Sequence, residues 1–167
     1  VEQSVTPKLR VGIGFDQHRF ASGEDRERVL VLGGVRFEAE AGLTGHSDAD
    51  VVAHAVADAM LGAAALGDLG AHFPDTDQRW AEADSLALLA QVASLVMGVG
   101  LRLANADCTV ICETPRIGPA REIMMERLSA AAAGPVHVKA TRPEGLGSLG
   151  RVEGIACLAT ALLEEIG

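Results

Sequence analysis

Residues 9–20 read Leu9-Arg10-Val11-Gly12-Ile13-Gly14-Phe15-Asp16-Gln17-His18-Arg19-Phe20. The first half alternates apolar positions with others, the period of two that marks a strand. Asp16 and His18 then fall two residues apart. In a strand that spacing puts both side chains on one face with their Cα atoms about 6.6 Å apart. A carboxylate and an imidazole so placed can converge on one ion through bonds of about 2 Å. An Asp-x-His pair alone arises by chance. His54 strengthens it, in the run Asp50-Val51-Val52-Ala53-His54 near the start of an alanine-rich helix expected over Val51–Leu66. An otherwise apolar helix turn has little structural use for an imidazole, although spacing alone also permits an ordinary hydrogen-bonded histidine. Together the three give a dication one carboxylate and two imidazoles. That leaves one position open, the arrangement of a catalytic zinc rather than a structural one.

Outward from these two stretches, Val29–Phe37 reads as a second strand bent at Gly33-Gly34. Thr44–Asp50 is a polar loop in which Asp48 or Asp50 caps the helix that follows. Gly67–Trp80 is a loop of acids, glycine and proline. Ala83-Asp84-Ser85 opens a helix running to about Met97, ended by Gly98 and Gly100. Leu103–Cys112 reads as a strand, Pro119–Ala132 as a helix, Val136–Thr141 as a short strand, Arg142–Arg151 as a Gly-rich loop, and Glu153–Ile166 as a closing helix. The expected fold is α+β, an α/β sandwich. It has a single mixed sheet of about four strands with helices on one face, plus a small hairpin. An open sheet face in so small a protein has to be covered, and oligomerisation is one way to cover it. Residues 1–9 read as a loose extension and 10–167 as a single catalytic domain.

Composition narrows the function. The 167 residues are 49% apolar and 3% aromatic, so alanine, valine and leucine must build the core. The formal net charge of -9 repels nucleic acid and anionic membrane, so neither is an expected partner. It repels a phosphorylated metabolite too, so a phosphate site here needs local cations or metals. Three cysteines, Cys108, Cys112 and Cys157, with no signal-like start, read as buried small hydrophobes in a reducing compartment. No apolar stretch reaches membrane-spanning length, and a cytoplasmic location is expected.

His46 and Ser47 lie just before the first helix, where hydrogen bonds and the helix dipole can hold a phosphate; a capping role explains them equally well. The acids of Gly67-Asp68-Leu69-Gly70 and Phe73-Pro74-Asp75-Thr76-Asp77 read either as solvated turns or as acceptors for substrate hydroxyls. Gly145, Gly147 and Gly150 spell G-x-G-x-x-G. A dinucleotide site is rejected, because no second strand follows to carry the ribose-binding acid; a tight turn or local phosphate contact remains.

Several of these runs, in one order, resemble the 2-C-methyl-D-erythritol 2,4-cyclodiphosphate synthase family. They are Gly14-Phe15-Asp16-x-His18, the stretch 45–54 from Gly45 to His54, the stretch 62–70, Phe73–Asp77, Ala83-Asp84-Ser85, Pro115-Arg116, Gly150-Arg151 and Glu153–Ala156. The resemblance covers essentially residues 10–165. It implies a homotrimer with active sites between subunits, and a cytidine diphosphate substrate, 4-diphosphocytidyl-2-C-methyl-D-erythritol 2-phosphate. The 2-phosphate of that substrate attacks the β-phosphorus and expels CMP. It also implies one zinc ion (Zn2+) per active site, with Mg2+ or Mn2+ on the substrate diphosphate. Carried over by position, Asp16, His18 and His54 are the zinc ligands and Glu144 holds the second metal. His46 and Ser47 contact phosphate and transition state. Asp68, Gly70, Phe73, Asp75, Asp77 and Arg151 bind the rest of the substrate. Cys112, Pro115, Arg116, Ile117, Gly118, Ala140 and Thr141 line the nucleotide side.

One segment departs from the family. Ala140-Thr141-Arg142-Pro143-Glu144 stands where Ala-Thr-Thr-Thr-Glu is usual, so Arg142 occupies the place of a transition-state threonine and is expected to act by charge. Ser148-Leu149 is a second departure. Arg142 can equally block or repel a metal–nucleotide complex, and Pro143 removes a backbone donor. These changes keep two other readings open: a zinc hydrolase of another small diphosphate, and a catalytically impaired relative.

Overall fold

Strand β1 (Leu9–Arg19) lies against helix α1 (Val51–Ala64) with nothing between the two backbones at Gly12 and Gly14. A Cβ added at Gly12 would sit 2.1 Å from the Ala59 carbonyl oxygen, and one at Gly14 would sit 2.0 Å from that of Ala55. Alanine on the helix and glycine on the strand therefore set the spacing of the layers. Gly12, Gly14, Asp16 and His18 share the helix-facing side of β1 by its period of two. The contact that buries the glycines thus also brings the first turn of α1 to Asp16 and His18. This is a computed structural model, and it describes residues 8–23, 27–81 and 83–167. Residues 1–7 of the expected extension, together with 24–26 and 82, lie outside the described residues.

The remaining elements are β2 (Val29–Leu32), β3 (Val35–Ala41), α2 (Leu69–His72), α3 (Ser85–Gly98), β4 (Leu101–Ile111), α4 (Arg121–Ala132), β5 (Val136–Thr141), α5 (Gly147–Gly150) and β6 (Gly154–Glu165). The main sheet runs β1-β6-β4-β5. β6 pairs antiparallel with both β1 and β4, and β5 pairs parallel with β4, so the sheet is mixed. Helices α1, α3 and α4 cover one face. Asp50 starts α1: its carboxylate accepts from Val52 N and Ala53 N, and also from Gly33 N (2.8 Å) and Gly34 N (2.7 Å). One buried side chain thereby caps a helix and holds the tip of the β2–β3 hairpin.

Four expectations are corrected. The expected loops Gly67–Trp80 and Arg142–Arg151 each contain a one-turn helix, α2 and α5; α2 is capped by the Asp68 carboxylate, which accepts from Ala71 N. Glu153–Ile166 is not a helix but β6, the strand between β1 and β4. Its alanines and leucines favour a helix in isolation, but β1 and β4 supply a ladder on both edges and override that preference. The period of two is visible only in burial: Ile155, Cys157, Ala159, Ala161 and Leu163 are buried, whereas Leu158 and Thr160 are exposed. Apolar residues on both faces had hidden the alternation. Val29–Phe37 is likewise not one bent strand. Gly33 and Gly34 take φ of 56° and 73°, the positive pair of a type I′ turn, so the segment folds back as a separate two-stranded hairpin. The four strands of the main sheet are completed by β6 instead.

The sheet face opposite the helices is open and apolar. Val11, Ile13 and Phe15 are 74%, 67% and 53% exposed, and Leu158 lies beside Phe15 in register. The three cysteines are buried and free. Among the described residues no helix is long and apolar enough to cross a membrane.

Candidate metal centre and its two cavities

Asp16, His18 and His54 converge: one ligand atom from each lies within 4.8 Å of the others. Asp16 Oδ2 is 3.0 Å from His18 Nε2 and 3.0 Å from His54 Nδ1. The second oxygen of the carboxylate accepts from Gln17 N at 2.8 Å, which fixes its orientation. Burial raises the Asp16 carboxyl, but the two imidazoles beside it prevail and hold it well below the usual carboxylate range. Burial lowers His54, yet Asp16 first, then Asp50 and Asp48, outweigh that and push it up. The site therefore concentrates negative charge that asks for a cation. His18 Nε2 is buried, close to Asp16 but not aligned for a hydrogen bond, and has no other partner among the described residues. An orphaned imidazole nitrogen beside an ionised carboxylate and a second imidazole fits a dication, with room for a further oxygen ligand. This cluster is a candidate metal site.

A cavity of about 480 Å³ opens beside it, lined by His18, His46, Ser47 and His54 and, across from them, by Gly70, Phe73 and Asp75. Arg28 holds the His46 side of that cavity. Its guanidinium donates to the Gly45 carbonyl at 2.8 Å and to that of Ser47. His46 Nε2 lies 3.2 Å from the Asp77 carbonyl, linking the 45–47 loop to the 73–80 loop. Phe73 and Trp80 meet edge-on, ring centroids 5.0 Å apart. Two of the expected substrate acids have other partners: Asp68 accepts from Ala71 N at 2.9 Å, and the Asp77 carboxylate is bidentate with Arg79.

The expected nucleotide residues gather elsewhere. Cys112, Pro115, Arg116, Ile117, Gly118, Ala140 and Thr141 line a second cavity of about 560 Å³, together with Arg142 and Glu144. Within the single chain this cavity shares no lining residue with the first. Arg142 donates to Glu113 Oε2 from Nη2 (2.7 Å) and Nε (2.9 Å), and Gly145 N donates to Glu113 Oε1 at 2.8 Å. Glu113 so fixes the loop in which Glu144 takes a φ of 54°. Arg151 is exposed and paired with Glu153 at 2.7 Å. The G-x-G-x-x-G run is a tight turn, since a Cβ on Gly150 would lie 2.2 Å from the Gly145 carbonyl carbon.

Sequence reading missed Arg28, which has no motif around it. It also missed Glu113, whose partner Arg142 comes from the next strand's end. Ser85 was read as the opening of a helix and as part of the family's Ala-Asp-Ser run, with no role assigned to it, yet its hydroxyl reaches His54 Nε2 at 2.9 Å.

Comparison with known proteins matches residues 9–164 to the YgbB family. A 2-C-methyl-D-erythritol 2,4-cyclodiphosphate synthase of Salinibacter ruber is 50% identical over 160 residues, covering 94% of this chain and 99% of its own. A bifunctional IspD/IspF enzyme of an Anaeromyxobacter strain is 54% identical over 161 residues. This chain spans 40% of that relative's length, and 95% of this chain is matched. Among solved structures, the IspF–CDP complex of Plasmodium falciparum superposes with a TM-score of 0.81 at 29% identity, covering 95% of this chain and 97% of that one.

Proposed function

The chain belongs to the YgbB family, and from that premise we infer that it converts 4-diphosphocytidyl-2-C-methyl-D-erythritol 2-phosphate into 2-C-methyl-D-erythritol 2,4-cyclodiphosphate and CMP. The observation that carries the reading is the convergence of Asp16, His18 and His54 beside a cavity that His18 and His54 line, with an imidazole nitrogen among them that has no hydrogen-bond partner among the described residues. Zinc suits a donor set of one carboxylate and two imidazoles. Bound there, the ion supplies positive charge and an open coordination position to a phosphate of the substrate.

The protein's own residues do the rest. His46 and Ser47, ahead of α1, hold the phosphates and the charge that develops on them. Asp68 and Gly70 receive the erythritol hydroxyls, and Phe73, Asp75 and Asp77 form the loop over them. Cys112 to Gly118, with Ala140 and Thr141, take the cytidine. Glu144 holds Mg2+ or Mn2+ on the diphosphate, and Arg142 and Arg151 add fixed positive charge. The nucleophile is a phosphate oxygen, anionic at neutral pH, so no strong base is needed. Its tether to the reacting centre removes about 7–11 kcal/mol of the barrier through orientation alone.

The complete site is built between subunits of a homotrimer. Two features support this: the separate cavities of one chain, and the apolar sheet face of Val11, Ile13 and Phe15, which packing against a second copy would bury. Phosphorus NMR on the chain with the cytidyl substrate and both metals is the test. Appearance of the cyclic diphosphate with CMP is expected. An opened pair of monophosphates would show a hydrolase instead, and unchanged substrate an impaired relative whose nucleotide cavity is altered by Arg142.

A further inference from the structure

His54 has two ring nitrogens with different neighbours. Nδ1 faces Asp16; Nε2 faces away from the cluster, 2.9 Å from Ser85 Oγ and 3.2 Å from Ser47 Oγ. Ser85 is 1% exposed, at the first position of α3, and its hydroxyl also meets Asp48 Oδ1. The Asp48 carboxylate accepts besides from Ser85 N at 3.2 Å and Asp50 N at 3.2 Å.

The polarity of this chain of groups follows from donor counting. An ionised carboxylate only accepts, so the single proton of the Ser85 hydroxyl goes to Asp48. The lone pairs of Ser85 Oγ then accept from His54, which requires a proton on Nε2. Nδ1, 3.0 Å from Asp16 Oδ2, donates to that carboxylate in the metal-free chain; with Nε2 holding its own proton, Nδ1 is the nitrogen that would give up its proton and offer a lone pair to a cation. Ser85 is not a nucleophile of a Ser-His-Asp triad, although an Asp16–His54–Ser85 line invites that comparison. Its proton is committed to Asp48, and it lines neither cavity. Ser47 is the weaker partner of Nε2, because its oxygen already accepts from Ala49 N at 3.2 Å and it lines the substrate cavity.

We propose that Ser85 and Asp48 are positioning residues that lock His54 in the Nε2-protonated tautomer and so set its Nδ1 to bind the metal. They act through His54 and touch neither substrate nor ion. Outer partners of this kind fix ring orientation and raise ligand basicity, and losing one typically weakens metal binding about 10- to 100-fold. The proposal rests on the reading of Asp16, His18 and His54 as metal ligands.

The test is zinc affinity of the metal-stripped full chain, measured by competition with a chromophoric chelator, for the native protein, Ser85→Ala, Ser85→Thr and Asp48→Asn. Ser85→Ala is expected to bind zinc about 10- to 100-fold more weakly, with Asp48→Asn weaker in the same direction. Ser85→Thr, which keeps the hydroxyl, is expected to stay within about threefold of native, well inside the loss an outer partner controls. Nitrogen-15 NMR of the zinc-loaded chains gives a second readout. A slowly exchanging Nε2 proton on His54 is expected in the native protein, and a fast-exchanging one in Ser85→Ala. Native-like zinc affinity in Ser85→Ala, or a proton on Nδ1 of His54 in the zinc-loaded native chain, overturns the proposal while leaving the metal site intact. A native chain that binds no zinc through His54 overturns the metal reading itself.

Discussion

Gly14→Ala tests how the fold positions the site. The added methyl would lie 2.0 Å from the Ala55 carbonyl oxygen and 2.6 Å from Ala59 N, both backbone atoms of α1. Real Cβ contacts essentially never fall below 3.0 Å, so α1 and β1 must part by at least about 1 Å, a change no rotamer can absorb. Overpacking of this kind costs about 1–3 kcal/mol. At roughly 2–4 °C per kcal/mol for a chain of this size, the upper end lowers the melting temperature by about 6–12 °C. The effect on the site is larger in proportion. Ala55 adjoins His54, and Gly14 is two residues from Asp16. Metal–ligand distances tolerate only about 0.2 Å, so zinc affinity is expected to fall by more than about tenfold. The assay is a pair of measurements on one variant: thermal melting of the metal-free chain, and chelator competition for zinc. A Gly14→Ala chain that melts within about 2 °C of native, less than 1 kcal/mol at this size, would refute the close approach as the determinant of the layer spacing. One that melts low but binds zinc normally would refute its role in placing His54.

Asp50→Ala strips four backbone N–H groups, two in the hairpin turn and two in α1, of their acceptor. Loss of the cap and the buried bonds is expected to cost about 3 kcal/mol in denaturant unfolding. Phe15→Asp places charge on the open sheet face; for the homotrimer proposed above it is expected to yield monomers in sedimentation analysis and to abolish turnover. Arg142→Ala removes a fixed cation at the nucleotide cavity, and a fall in kcat of about 100-fold is expected; an unchanged kcat would make Arg142 a loop anchor only. The Glu113 carboxyl is held below its ordinary value of 4.5, first by Gly145 N–H and then by Arg142. Its grip on the 142–145 loop is therefore complete above pH 4.5 and is lost as the pH falls through the lower folded value. The Gly145 amide chemical shift should report that loss.

Helices α1, α3 and α4 and strands β1, β4 and β5 were legible in the sequence because each carries its own signal: caps at Asp50 and Asp84, a period of two, and prolines between elements; the one-turn helices α2 and α5 are too short to show a period and lie in stretches that read as loops. β6 was not, because Ile155 to Leu163 is apolar on both faces and only its neighbours on two edges make it a strand. The hairpin was half legible, since Gly33-Gly34 marked a bend while the sign of their φ angles decided a reversal. Asp16 and His18 were legible as a pair from spacing alone. That His54 joins them depends on Gly12 and Gly14 admitting the helix, a contact between residues about forty positions apart. Ser85 and Arg28 act on the site only through hydrogen bonds across the fold, with partners 31 and 17–19 residues away; the Ala83-Asp84-Ser85 run marked Ser85 without its partner, and nothing marked Arg28.

A zinc-soaked crystal measured at the zinc absorption edge asks the question on which every other statement about chemistry depends. One anomalous peak per chain is expected, bonded at about 2.0–2.2 Å to an Asp16 oxygen, His18 Nε2 and His54 Nδ1. An empty cluster in a crystal that carries zinc elsewhere would contradict it.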